Sequence, residues 1–154
     1  MQFLNNYSNR ELNIWAELAL DILVSLYFFP KIFPLIMDGQ LYSDALVGII
    51  ATTILIAIIY SIFVFGAINA LTKKEEKDER DYIYELKSYR ISNIIYQVSI
   101  FILISQIVVF NPINPKPLPD FTAPMIAMLL LIITLLSSTG KSLTQLFNYK
   151  KTSK

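Results

Sequence analysis

The sequence predicts an all-α protein: an integral membrane four-helix bundle with both termini on the cytoplasmic side. Three observations predict it. Four long apolar stretches approach or exceed the roughly 20 residues that a bilayer-crossing helix needs. Charged side chains make up only 16% of the 154 residues, against about a quarter in ordinary soluble domains, and they are bunched. None of the apolar stretches alternates with period two, so each reads as a helix rather than a barrel strand.

The predicted spans cover about 14–36, 45–71, 91–110 and 123–147 of a single transmembrane domain. The first is not a cleavable signal. Glu17 and Asp21 interrupt its apolar run, and Phe28, Phe29 and Pro30 stand where small residues would mark a cleavage site. Asp38-Gly39-Gln40 reads as a turn into the second helix, with Ser43 as its N-cap. The second span carries no charge and offers only Gly48, Thr52, Ala57 and Ser61 as small contact points, which suits packing or an oligomer interface. Residues 73–90 form a charged connector whose helix starts near Asp78 and runs into the third span. Opposite charges stand four apart at Lys74–Asp78, Glu76–Arg80 and Lys77–Asp81. The 111–120 connection holds four prolines and should be stiff and extended. Thr122 is placed to cap the fourth helix, with Pro124 in its first turn.

Orientation follows from Lys and Arg. Eleven of the 13 lie beside the termini or in the 73–90 connector, and two lie on the other side. The positive-inside tendency therefore puts both termini in the cytoplasm of a plasma-membrane protein. An even number of spans requires the same sharing of sides.

Composition also excludes chemistry. No Cys means no disulfide, thiolate nucleophile or iron–sulfur ligand, and no His removes the commonest general base and metal ligand. The net charge of +1 lacks the basic surplus of a nucleic-acid binder. Gly140-Lys141-Ser142 resembles the end of a phosphate-binding loop, but the earlier glycine position is Leu135. The expectation is a protein that is not an enzyme and needs no cofactor or metal.

Glu17 and Asp21 are the foremost polar candidates. Four residues apart, they share a helix face one to two turns inside the predicted cytoplasmic boundary. A buried carboxylate pair can exchange protons or cations; alternatively it forms a structural ion pair with Arg90, Lys87 or Lys141, at similar depth. Ser92, Tyr96, Ser99 and Gln106 on the third helix, and Thr134, Ser138, Lys141 and Gln145 on the fourth, suggest interhelical hydrogen bonds or a polar cavity among helices one, three and four. Asp78, Glu79, Arg80, Asp81, Tyr82, Leu86 and Tyr89 form a candidate surface for a cytoplasmic partner or a neighbouring subunit.

Asp78-Glu-Arg-Asp81, followed by Ile83, Leu86-Lys87, Arg90-Ile-Ser92 and an apolar span, resembles a segment of small uncharacterised prokaryotic membrane proteins. The resemblance covers about twenty residues. It implies a regulatory or partner role, since such proteins often accompany helix-turn-helix regulators. Trp15-Ala-Glu17-Leu also resembles the first helix of small multidrug transporters in architecture. Those chains are shorter and lack Asp21 and the charged connector. The sequence thus points first to association, as a homo-oligomer or as a subunit or regulator of a larger membrane system. The alternative is a small ion- or proton-coupled transporter or channel built on the carboxylates.

Overall fold

The computed structural model describes residues 9–39, 44–72, 78–110 and 122–152. All four segments are helical, and each helix is long and apolar enough to cross a membrane. Ser43, the proline-rich connection, and the pair members Lys74, Glu76 and Lys77 lie outside the described residues.

Helix α1 (Asn9–Met37) runs on through Pro30 and Pro34. It ends where Gly39 takes a positive φ of 65°, a conformation that costs glycine nothing, and the Gly39 amide donates back to the Ile36 carbonyl. Lys31 sits inside this helix. Its Nζ lies 3.2 Å from the Tyr27 hydroxyl and 4.3 Å from that ring's centre. Helix α2 (Asp44–Leu71) is α-helical to Tyr60, widens to a π-helical turn over Ser61–Phe65, and tightens again from Gly66. Helix α3 starts at Glu79 and is α-helical to Ser105, then π-helical over Gln106–Phe110. The connector from Glu79 to Arg90 is therefore continuous with the apolar part of α3. Helix α4 (Ala123–Thr152) is a single helix that keeps its course through the polar stretch after Ser137. Neither π-helical turn was legible in the sequence, because no proline, glycine pair or polar run marks them.

Asp78 explains why α3 begins where it does. Its carboxylate accepts the amide of Glu79 at 2.7 Å, and with Asp81 it forms a reciprocal capping box. Thr122 does not cap α4 in this way. Its carbonyl accepts the Ile126 amide at 3.0 Å, while its hydroxyl is buried without a hydrogen-bond partner among the described residues. Pro124 removes one of the two amide donors that a capping hydroxyl could have used.

The helices do not close into a symmetric ring. α4 is the hub: it packs along α3 and α1 and barely touches α2. α1 packs against α2 and α4, whereas α3, among the described residues, packs along α4 and meets α1 only through side chains at the charged end. The apolar core gathers at one end, where Phe28, Ile32, Leu46 and Met128 are buried together. Polar groups gather at the other end. There, small residues let α3 and α4 approach closely. Ser137 donates to the Ser92 carbonyl at 2.9 Å, and the two hydroxyls lie 2.7 Å apart. Gly140 faces Ile95 so tightly that a Cβ added there would come within 2.5 Å of the isoleucine Cδ1. Asn9 and Thr72 hydrogen-bond to each other, and the Tyr60 hydroxyl donates to the Ala16 carbonyl at 3.0 Å, tying α2 to α1.

Candidate functional site

Two linked regions carry the buried polar chemistry. The first is a charged junction of α1, α3 and α4 at the polar end. Asp81 is its clamp: one carboxylate oxygen accepts the Tyr149 hydroxyl at 2.6 Å, and the other pairs with Arg10. One residue therefore caps α3 and ties it to both neighbours. Two turns further in, the Lys141 ammonium lies 2.9 and 3.1 Å from the two Glu17 oxygens. Lys141 also sits 5.0 Å from the centre of the Tyr89 ring, and the buried Ser142 hydroxyl lies 3.4 Å from Glu17 Oε2. These groups enclose a polar cavity of about 150 Å³ lined by Arg10, Glu17, Asp81, Glu85, Tyr89 and Lys141, among others.

Of the three basic residues considered as partners for Glu17, the fold brings up Lys141 and neither Lys87 nor Arg90. Those two are exposed and line a separate surface groove with Leu143 and Phe147. The reason is rotational. Ser88, Ser92, Ile95 and Ser99 form the covered face of α3 as it packs on α4, and Arg90 stands on the far side of the same helix.

Glu17 and Asp21 have different partners. Asp21 is only 5% exposed and has no salt bridge among the described residues. It accepts a hydrogen bond from the Thr139 hydroxyl at 3.3 Å, and Ser138 also hydrogen-bonds to it. It borders the second region, an apolar chamber of about 480 Å³ between α1, α2 and α4 that is open on the side of the exposed Ile54, Ile58 and Ile62. Val24, Thr53, Ala57, Ser61, Leu135 and Ser138 are among its walls. The sequence pointed to a polar cavity among helices one, three and four. The small charged cavity lies there, but the larger chamber is walled by α2 in place of α3. On α2, Thr53 is buried, and the exposed Thr52 hydrogen-bonds with Tyr27 of α1.

The docking candidates divide. Asp78 and Asp81 are engaged in capping and in the junction. Glu79, Arg80, Tyr82, Leu86 and Tyr89 remain on the exposed surface, Leu86 most fully at 72%. Residues missed at the sequence level are Tyr149, Thr139, Ser142 and Thr53. The pairing of Asp81 with Tyr149 could have been found by running α3 and α4 antiparallel from Ser92 against Ser137, which brings 81 level with 148, one residue from Tyr149.

A further feature lies on the side of α3 away from α4. Asn93, Gln97, Phe101, Ile104 and Val108 are all exposed and recur at spacings of four, four, three and four. That is a continuous stripe along one helix face. Neither Asn93 nor Gln97 makes a side-chain hydrogen bond to another described residue.

The chain matches no protein-family profile, no characterised protein and no solved structure, so its function has to be argued from this chemistry.

Proposed function

We propose that this is a multi-pass plasma-membrane protein, with both termini cytoplasmic, that works by association rather than catalysis. The observation that carries this reading is the unpartnered pair Asn93 and Gln97 on the outer face of α3. In a bilayer that face meets hydrocarbon, where an unsatisfied amide is costly. Gln97 lies six residues past Ile91, about 9 Å along the axis, which is too deep for a short side chain to reach water. Arg90, two turns nearer the polar end than Gln97, can extend its head group to the interface.

Such amides are met by another helix. A carboxamide holds donor and acceptor in one group, so it pairs with its own copy across a twofold axis. The favoured partner is therefore a second copy of this chain, docked α3 to α3. Phe101, Ile104 and Val108 would pack below the amides. The exposed residues Glu79, Arg80, Tyr82 and Leu86 at the head of the same helix would stand beside the interface, open to a cytoplasmic protein. This agrees with the partner role that the Asp78–Asp81 segment implies by resemblance.

Native mass spectrometry of the protein extracted in mild detergent checks the reading. A dimer mass is expected; a monomer at all concentrations would contradict it. Topology has its own check. The chain has no cysteine, so single cysteines can be placed at Ser8, Lys116 and Ser153. The first and last should be labelled only after the membrane is opened to reagent, and the middle one in intact cells.

A second reading, ion- or proton-coupled transport, is favoured by one observation: Asp21 is buried and makes no salt bridge among the described residues, whereas Glu17 is paired with Lys141.

A further inference from the structure

We infer that the chamber beside Asp21 is a binding site for an amphiphilic monocation, an apolar body carrying one positive charge. Three independent features converge there. The first is space. At about 480 Å³ the chamber falls within the size range of small-molecule sites, and its walls are mostly apolar with a few polar groups.

The second is charge. Asp21 is the one ionisable group on the chamber wall, and it is 95% buried by its 5% exposure. The nearest cation on the facing helix, Lys141, is held 2.9 Å from Glu17; it acts on Asp21 only through its field and makes no salt bridge to it. The hydroxyls around Asp21 do not supply one. Thr139 and Ser138 hydrogen-bond to it, while the hydroxyls of Thr53 and Thr134 donate to the carbonyls of Ile49 and Leu130, each in its own helix. A buried carboxylate is stabilised far more by a cation than by a hydroxyl.

The third is the wall itself. Ser61 and Ile62, which line the chamber, belong to the π-helical turn of α2. Such turns are rare, and they concentrate at functional sites because they widen the helix and redirect side chains. The chamber is also reachable. α2 and α4 barely touch, and Ile54, Ile58 and Ile62 on its rim are exposed. A ligand partitioned into the bilayer can enter sideways between these helices without crossing the charged junction. A bare metal cation fits poorly, because the walls offer too few oxygens to replace its hydration shell.

This inference concerns binding alone. It holds whether or not the ligand is moved across the membrane, and it is independent of α3 pairing. The test uses the full chain in lipid nanodiscs and radiolabelled tetrabutylammonium as the probe, with empty nanodiscs subtracted. Saturable binding is expected at one site per chain. Asp21→Asn, which keeps shape and removes charge, should weaken it about thirtyfold or more. Ala57→Phe, which fills the chamber and leaves the carboxylate, should abolish it. Neutral tributylphosphine oxide should compete far less well than unlabelled probe. Both variants are first checked for unchanged size and melting, and if either misfolds, Asp21→Ser and Ala57→Leu take their places. Absence of saturable binding, binding indifferent to either change, or equal competition by the neutral compound would each overturn the assignment.

Discussion

Lys141→Met should be among the most destabilising single substitutions in the chain. It removes the ammonium that lies 2.9 Å from Glu17 and leaves that carboxylate beside the Asp81 and Glu85 carboxylates in one small cavity. Breaking a buried ion pair by deleting one partner costs about 3–5 kcal/mol. The side chains of Glu17 and Lys141 keep 32% and 19% of their exposure, so about 2–3 kcal/mol is the better figure here. A fall of about 5–10 °C in Tm follows for a chain of this size. The single tryptophan, Trp15, stands two residues from Glu17 and reports the change by its fluorescence. The companion substitution separates charge from packing. Glu17→Gln combined with Lys141→Met should regain most of the loss, because no uncompensated charge remains. If the double variant is as unstable as Lys141→Met alone, the pair is not what holds α1 to α4.

Asn93→Leu with Gln97→Leu should have the opposite character: little effect on the fold and a large effect on assembly. Both side chains are exposed and make no hydrogen bond within the described structure, so nothing inside the bundle is lost. In lipid the change should even favour insertion, since the Gln97 amide leaves the hydrocarbon. What would disappear is the hydrogen bonding between copies, worth about 0.6–2 kcal/mol per contact. With two amides on each helix, dimer affinity should fall about tenfold or more while Tm is unchanged. The measurement is energy transfer between labelled copies in liposomes diluted with lipid. A double variant that dimerises as tightly as the parent would move the interface elsewhere.

The helical architecture could be read from the sequence because charge-free runs of this length leave little choice. The start of α3 was legible for a local reason: Asp78 and Asp81 have the spacing of a capping box. The site was legible only in outline. Glu17, Asp21 and Lys141 stand out because charged residues in apolar runs are conspicuous. Which of them meet depends on how each helix is rotated about its axis, and no local pattern states that. Arg90 and Lys141 look equivalent by depth, yet one faces away from α4 and the other faces Glu17. The Asp81–Tyr149 contact spans 68 residues and the Lys141–Glu17 contact 124, so both follow from packing rather than from neighbours in sequence. The chamber was hidden for a related reason. α2 reads as bare of polar groups, and its contribution is a π-helical turn and a buried Thr53 that composition does not reveal.

The charged junction and the outer face of α3 thus have different duties. Arg10, Glu17, Asp81 and Lys141 satisfy one another inside the chain. Asn93 and Gln97 make no hydrogen bond to another described residue and, on the proposed reading, face a second copy. Cysteine cross-linking in native membranes tests that division most directly, since the chain has no cysteine of its own. Single cysteines at Gln97 and Ile104 should give disulfide-linked dimers on mild oxidation. Cysteines at Ile95, which faces Gly140, and at Leu55 on the exposed side of α2 should not. Absence of dimers from the α3 positions, or equal yields from Leu55, would contradict the account.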